Sequence, residues 1–315
     1  MAINKTKDIE LSVIVPVFNE AIGLEHFHQA LLGLLKTQSL TYELIYVDDG
    51  STDGSTAIIK DLARKNAQLK PIFLSRNFGK EAATTAGLHA AHGRAAIIVD
   101  ADGQHPVELI PKFIKEWRAG AHVVVGIRTA NQKEGFIKQG GSKLFYKMLS
   151  LLGVSGVVPG STDFRLIDRQ VIESFKKLTD HNRVTRALID WLGYEKVFIH
   201  FTAHPRQHGE ASYSHKKLVQ LALNGFVSLS FTPLYLSGYV GMLITLLSFI
   251  LSIVAVVEKY FLHDPLGLNI TGTAILAVLI LFLVGVLLIG QGLLAVYVAR
   301  IYTEVQDRPL YIVKE

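Results

Sequence analysis

Ala95-Ala96-Ile97-Ile98-Val99-Asp100-Ala101-Asp102-Gly103-Gln104 decides how this chain is read. A short apolar run ends abruptly in two carboxylates one residue apart, and a carboxamide follows. An apolar run of this length bounded by a turn signal reads as a buried strand. At its end, carboxylate and carboxamide oxygens can meet in one place. A few such ligands suit Mg²⁺ or Mn²⁺ shared with substrate phosphates. A strand also often ends in a turn aspartate, so the pair needs support from its surroundings.

The flanking sequence supplies that support. Leu11–Val17, Tyr42–Val47, Pro71–Leu74, Ala95–Val99 and His122–Gly126 read as strands. Between them Ala21–Leu35, Ser55–Lys65, Glu81–Ala91 and Val107–Ala119 carry apolar residues at helical spacing. Ser51 to Asp53 are capping candidates for the second helix. Strands separated by helices indicate parallel βαβ units, an α/β fold. Ligands of such open sheets sit beyond the carboxyl ends of the strands. Asn19-Glu20, Asp48-Asp49, Arg76-Asn77, Asp100–Gln104 and Arg128 all fall there.

Half of the 315 residues are apolar, but unevenly placed. Leu234–Val257 runs 24 residues without a charge, and Ile270–Ala299 runs 30. Each exceeds the roughly 20 residues needed to cross a hydrocarbon core. Arg206, Lys216 and Lys217 precede the first run; Arg300, Arg308 and Lys314 follow the second; the loop between has only Lys259. By the positive-inside rule both termini are expected in the cytoplasm, with residues 258–269 outside. Met1–Glu10 is polar and charged, unlike a signal peptide, so the first 230 residues are expected to stay cytosolic. Phe136–Leu152 alternates basic and apolar residues. It fits either a helix in the membrane interface or one packed on the domain. Leu218–Leu236 is similar and leads into the first span. The chain has no cysteine, which excludes disulfides and thiolate metal sites. The net charge of +5 is modest, and no nucleic-acid partner is expected.

Taken in order, the polar clusters resemble the polyprenyl-phosphate glycosyltransferases of glycosyltransferase family 2, a group that includes dolichol-phosphate mannose synthases and undecaprenyl-phosphate glucosyltransferases. The residues that carry the likeness are Val15-Pro16-Val17-Phe18-Asn19-Glu20, Val47-Asp48-Asp49-Gly50-Ser51, Arg76-Asn77-Phe78-Gly79-Lys80, Asp100–Pro106, Asp163-Phe164-Arg165-Leu166 and Arg206-Gln207-His208-Gly209. Gly292-Leu293-Leu294, Tyr297, Arg300-Ile301-Tyr302 and Arg308-Pro309 extend it into the tail. The resemblance implies a GT-A, Rossmann-like, mostly parallel sheet domain over 1–215. A juxtamembrane amphipathic segment would cover 216–233. A two-span membrane domain would cover 234–299, with spans at 234–257 and 273–299, and 300–315 would be a cytoplasmic tail.

The same resemblance implies a chemistry: inverting transfer of a hexose from a nucleotide sugar to a polyprenyl (undecaprenyl) phosphate at the inner membrane. Glucose from UDP-glucose is the first expectation and mannose from GDP-mannose the alternative. A catalytically inactive membrane scaffold or transporter partner is the reading from another class. Asp102 and Gln104 are implied to bind Mg²⁺ or Mn²⁺, which neutralises a diphosphate leaving group. Pro16, Phe18, Glu20, Val47, Asp49, Asp100 and Ala101 match the nucleotide-sugar pocket, and Arg206 a diphosphate contact. Arg128, Lys138 and Ser142 fall where the family holds the lipid phosphate. The acceptor oxygen is already ionised at neutral pH, so a dedicated general base is less necessary. Three positions depart from the family pattern: Ser212 replaces a lysine, Gly103 a leucine, and Val296 a glutamate. Partners implied are the membrane lipid, a homo-oligomer, a flippase and a second glycosyltransferase downstream.

Overall fold

The structure is a computed structural model. It describes residues 9–129, 160–181, 183–202, 239, 243–244, 246, 250 and 272–314, with some side chains of 274–288 outside the description. Two compact units divide the chain. Residues 1–147, 155–212 and 307–315 form the first; residues 148–154 and 213–306 form the second.

The first unit is a seven-stranded sheet between helices. Its strands are β1 Leu11–Val17, β2 Tyr42–Asp48, β3 Leu69–Phe73, β4 Ala95–Ile98, β5 Val123–Arg128, β6 Ser161–Asp168 and β7 Lys196–Phe201. Its helices are α1 Ala21–Thr37, α2 Ser55–Lys65, α3 Lys80–Ala90, α4 Ile110–Arg118, α5 Arg169–Lys176 and α6 Thr185–Trp191. A 3₁₀ turn, Val107–Leu109, opens α4. Both faces of the sheet are covered at its centre, so the residues of β1, β2 and β4 are buried almost throughout, whichever way they point. Along β1, Val13, Val15 and Val17 pack toward α1, α2 and α4, while Ile14 packs toward α3, α5 and α6. The alanine-rich α3 lies close on the sheet. A Cβ on its Gly87 would come within 2.3 Å of Ile14 Cγ2.

The strand order is β3-β2-β1-β4-β6-β5-β7. The expected parallel βαβ pattern holds for β1 through β4. The sequence reading did not include β6, which enters antiparallel between β4 and β5. The sheet is therefore mostly parallel, and β5 is not beside β4. Because β6 runs the opposite way, its first residues lie where its neighbours end: Arg165 is opposite both Ile98 and Val125, and Ser161 is opposite Ile127. Ser161, Thr162 and Asp163 thus join the ligand edge of the sheet.

Arg165 fixes this arrangement. Its side chain is 1% exposed. It donates to the Thr162 carbonyl at 3.0 Å, Ser161 Oγ at 2.7 Å, the Arg186 carbonyl at 3.1 Å and Asp190 Oδ1 at 3.0 Å. Asp190 is also paired with Lys196 Nζ at 2.8 Å. One guanidinium therefore ties the start of β6 to α6.

The C-terminal residues of the first unit cover the open edge beside β3. Val313 bridges antiparallel to Leu74, Lys314 N–H donates to the Phe73 carbonyl at 2.7 Å, and Ser75 N–H donates to the Ile312 carbonyl at 2.8 Å. Tyr311 Oη lies 3.0 Å from His89 Nδ1. An unpaired strand edge is a template for misassociation, and this tail occupies it.

In the second unit the described continuous element is α7, Gly272–Val305, a helix of 34 residues. Counting described residues only, no helix is long and apolar enough to cross a membrane. The span expected at 234–257 falls almost wholly outside the described residues, as do the amphipathic segments Phe136–Leu152 and Leu218–Leu236.

Arg165→Met keeps much of the volume but strands three carbonyl or hydroxyl acceptors in the interior. Breaking a buried, hydrogen-bonded ion pair costs about 3–5 kcal/mol. At this size that is a fall of roughly 6–12 °C or more in the thermal midpoint. Thermal unfolding of the purified variant checks it; an unchanged midpoint would remove Arg165 from this role.

Candidate active site

Three loops at the carboxyl edge are stitched together by side chains. After β1, Asn19 takes a left-handed conformation with φ 56°. Its side-chain oxygen accepts from Thr52 N–H at 2.8 Å, and its own N–H donates to Ser51 Oγ at 3.0 Å. Glu20 N–H donates to Ser55 Oγ at 3.0 Å, and Ala21 N–H to Asp53 Oδ2 at 2.9 Å. Of the capping candidates, Ser51 and Asp53 bond to the loop before α1, and Asp53 Oδ1 also accepts from the Ser55 N–H at the start of α2 at 3.0 Å. The residue that caps α2 is Gly54.

Asp49 binds the third loop. It is buried, and its two carboxylate oxygens accept from Phe78 N–H at 2.7 Å and Gly79 N–H at 2.9 Å. Burial pushes its pKa up, against those two hydrogen bonds. Gly50 has φ 71°, and a Cβ there would meet the Arg76 carbonyl carbon at 2.5 Å. The Arg76 guanidinium lies 4.3 Å from the Phe78 ring centre.

Against this frame the sequence-predicted donor residues take different places. Phe18 is 44% exposed on the loop, a face open to a planar base. Pro16 and Glu20 are half-buried beside it. Val47 is fully buried in the core beneath α3, so its side chain offers nothing to a ligand. Asp49 holds the loop that a ligand would touch.

The loop after β4 is fixed from below by His105, which is 8% exposed. Its Nδ1 accepts from Asp100 N–H at 3.2 Å, which places the ring proton on Nε2. The ring stacks on Phe164, with centres 5.0 Å apart and planes 13° apart. Burial pushes the imidazole pKa down, so it stays neutral. Gln104 N–H donates to Asp102 Oδ1 at 3.0 Å, turning both side chains from one tight turn.

Lys80 joins two strands. Its ammonium lies 2.8 Å from Asp100 and 2.9 Å from Asp163 Oδ2. Burial raises the Asp163 carboxyl pKa, but the Lys80 charge and hydrogen bond, together with the Arg186 and Arg165 charges, outweigh it and hold Asp163 below the usual range. The same pair of carboxylates holds the Lys80 ammonium above its usual range against the cost of burial.

Two cavities flank the β4 loop. One, of about 190 Å³, is lined by Glu20, Ala101, Asp102 and His105 together with α1 residues His26 and Phe27. The other, of about 200 Å³, is lined by Asp100, Gln104, Arg128, Thr162, Asp163 and Arg186 among others. The structure thus brings Arg128 onto the same cavity as Asp100 and Gln104. Arg206, Lys138, Ser142 and the variant position Ser212 lie outside the described residues. The sequence reading assigned no role to Lys80, His105, Asp163 or Arg186. The first three stood inside quoted motifs; Arg186 had no motif to mark it.

Comparison with known proteins decides the family. Residues 12–175 match the model described as Glycosyl transferase family 2. The chain belongs to glycosyltransferase family 2. It is 40% identical over 307 residues to an uncharacterized glycosyltransferase of Synechocystis sp., covering 98% of this chain and 95% of that one. It is 34% identical over 307 residues to the bactoprenol glucosyl transferase of Shigella phage SfII, covering 98% of each chain. A prophage bactoprenol glucosyl transferase homolog of Escherichia coli is 33% identical over 306 residues. The protein is a glycosyltransferase with an α/β, GT-A-like sheet.

The donor set of this transferase fits a shared metal rather than a closed protein cage. Among the described residues no cluster of three or more His, Cys, Asp or Glu could hold a metal. Asp102 and Gln104 offer one carboxylate and one carboxamide from a single turn. Mg²⁺ is commonly held by one or two carboxylates, with phosphates and water completing the shell.

Asp102→Asn nearly preserves shape and removes the anionic ligand. Turnover should fall at least about a hundredfold, equivalent to about 2.7 kcal/mol of barrier, with the thermal midpoint unchanged. Steady-state rates with Mn²⁺ and after EDTA treatment test it. Near-normal turnover, or activity indifferent to EDTA, would remove Asp102 from metal binding.

Proposed function

We propose that this transferase moves glucose from UDP-glucose to the phosphate of a polyprenyl lipid, with inversion, at the cytoplasmic face of the inner membrane. The observation that carries the reading is the 200 Å³ cavity running from Asp100 and Gln104 to Arg128. Those residues end β4 and β5, and β6 lies between. Neighbouring strands are about 4.8 Å apart, so the two ends are separated by roughly 10 Å. That interval accommodates one sugar ring between a diphosphate at the β4 loop and an acceptor phosphate at Arg128. The relatives named bactoprenol glucosyl transferases favour glucose and a polyprenyl acceptor, and their match spans 98% of this chain.

The chemistry follows from the groups present. The acceptor phosphate oxygen forms a bond to the anomeric carbon as the bond to the nucleoside diphosphate breaks. The leaving electron pair goes to the diphosphate oxygen. When bound, a divalent cation supplies charge stabilisation to that diphosphate, and Asp102 with Gln104 would hold it. Phe18 would lie against the base, with Pro16, Glu20 and Ala101 around it, and Asp49 would keep the Arg76–Gly79 loop in place. Arg206 would meet the diphosphate. Arg128, with Lys138 and Ser142, would orient the lipid phosphate. Lys138 supplies charge without the bidentate fork of an arginine. No proton need be removed from the nucleophile, which suits a site where Asp163 is held ionised by Lys80.

Membrane attachment would come from two spans, at 234–257 and 273–299. The second of these would fall within α7, Gly272–Val305. Its first charged residue is Arg300. Both termini would then be cytoplasmic.

Two experiments test these statements. Membranes containing the protein, Mn²⁺ and undecaprenyl phosphate, given a panel of nucleotide sugars, should yield a lipid product heavier by one hexose with UDP-glucose. A product formed only with GDP-mannose would replace glucose by mannose, and no product with any sugar would overturn the reading. For topology the cysteine-free chain allows clean single substitutions. Asn269→Cys should react with an impermeant maleimide added outside intact cells, whereas the exposed Ala67→Cys should react only after lysis. Outside labelling of Ala67→Cys would reverse the orientation.

A further inference from the structure

We propose that Arg186 is a second cation for the acceptor phosphate, acting with Arg128 across the same cavity; this rests on the transfer to a lipid phosphate proposed above. Arg186 is an exposed residue of α6 and lines the 200 Å³ cavity together with Arg128, Gln104 and Asp163. Its backbone is held on both sides. The Arg186 carbonyl accepts from buried Arg165 Nη1 at 3.1 Å, and the preceding Thr185 N–H donates to Glu81 Oε2 at 2.8 Å. A binding group placed on a fixed backbone loses less freedom when it engages its ligand.

The charges around the cavity leave Arg186 available. Asp100 and Asp163 could each take up a guanidinium, but both already share the Lys80 ammonium, at 2.8 and 2.9 Å. The Arg186 charge acts on Asp163 through space, with no direct side-chain ion pair between the two among the described residues. Arg128, Arg186 and Lys80 together outnumber Asp100 and Asp163 around this space, which suits an added anion. A phosphate monoester has three terminal oxygens. One must attack, and two remain to be held. Two planar guanidinium forks, each giving charge-assisted hydrogen bonds, match that demand. The donor diphosphate lies at the β4 loop in the proposed arrangement, so Arg186 should serve the lipid and not the nucleotide.

The test is direct binding to the full-length protein in nanodiscs, with farnesyl phosphate as the lipid probe and UDP-glucose in parallel. Arg186→Gln should weaken farnesyl phosphate roughly tenfold or more, the loss expected for charge-assisted hydrogen bonds, and leave UDP-glucose within about twofold. Arg186→Lys keeps the charge without the fork and should fall between. Retained UDP-glucose binding shows that each variant is folded, and the steady-state KM for polyprenyl phosphate should rise in the same order. Unchanged farnesyl phosphate affinity in both variants would overturn the proposal and reduce Arg186 to a companion charge of Asp163. Equal weakening of UDP-glucose would overturn it by placing Arg186 on the donor. If the wild-type protein bound UDP-glucose but no farnesyl phosphate, the lipid-phosphate reading would fall and this proposal with it.

Discussion

The reversed strand β6 is the constraint on which the site depends. A purely parallel sheet would put only strand ends at its carboxyl edge, each followed by a crossover. An antiparallel strand between β4 and β5 puts a strand beginning there instead. That delivers Ser161, Thr162 and Asp163 between two groups of ligand-bearing residues, and it sets β4 and β5 two strand spacings apart. The arrangement carries a charge problem, since Asp163 then stands near Asp100. Lys80, from the start of α3, resolves it by binding both at 2.8 and 2.9 Å. Arg165 resolves the matching problem underneath, where a polar strand start and a short helix must be joined inside the core.

The side proposed for the nucleotide is built by a different means. There the parallel strands end as expected, and the loops beyond them are long enough to wander. Side chains prevent it: Asn19, Ser51, Asp53 and Ser55 join the first loop to the second, and Asp49 joins the second to the third. Gly50 lets the second and third loops touch backbone to backbone, a contact that any Cβ would block. Most of these bonds run from side chain to backbone, so the loop shapes are set before any ligand arrives. Such preorganisation lowers the ordering cost of binding.

The sequence made the first half of this fold legible because β1, β2 and β4 are buried on both faces and the crossovers between the first four strands are helices. The run from Ala95 reads as a strand ending before Asp100, and the structure forms β4 over Ala95–Ile98 with a loop after it. Strand β6 was missed for a physical reason. Ser-Thr-Asp-Phe-Arg-Leu-Ile-Asp mixes polar and apolar residues because it serves the site at one end and the core at the other, and its buried Arg165 looks like a surface charge. Asp49 was legible as a site residue but not as a loop anchor, since hydrogen bonds to backbone N–H groups leave no trace in the composition of the loop they hold. Val47 was carried over as a pocket residue, although a strand residue flanked by Tyr46 and Asp48 on a two-sided sheet has its side chain in the core. Arg186 had no signal, because an exposed arginine early in a short helix is indistinguishable from a solvated one until α6 is placed against β6.

The distribution of charge explains why the carboxylates here are poor candidates for a general base. A base must be able to accept a proton near neutral pH, which requires a pKa raised toward the operating pH. Asp163 is shifted the other way by Lys80, and His105 has its Nδ1 occupied by the Asp100 N–H. A sugar hydroxyl acceptor would need a base that the described cavity does not provide. A phosphate acceptor arrives ionised and needs cations, and the cavity carries Arg128 and Arg186 beside two carboxylates that share the Lys80 ammonium. The positive charge carried by Arg128 and Arg186 on the described cavity therefore suits a phosphate nucleophile.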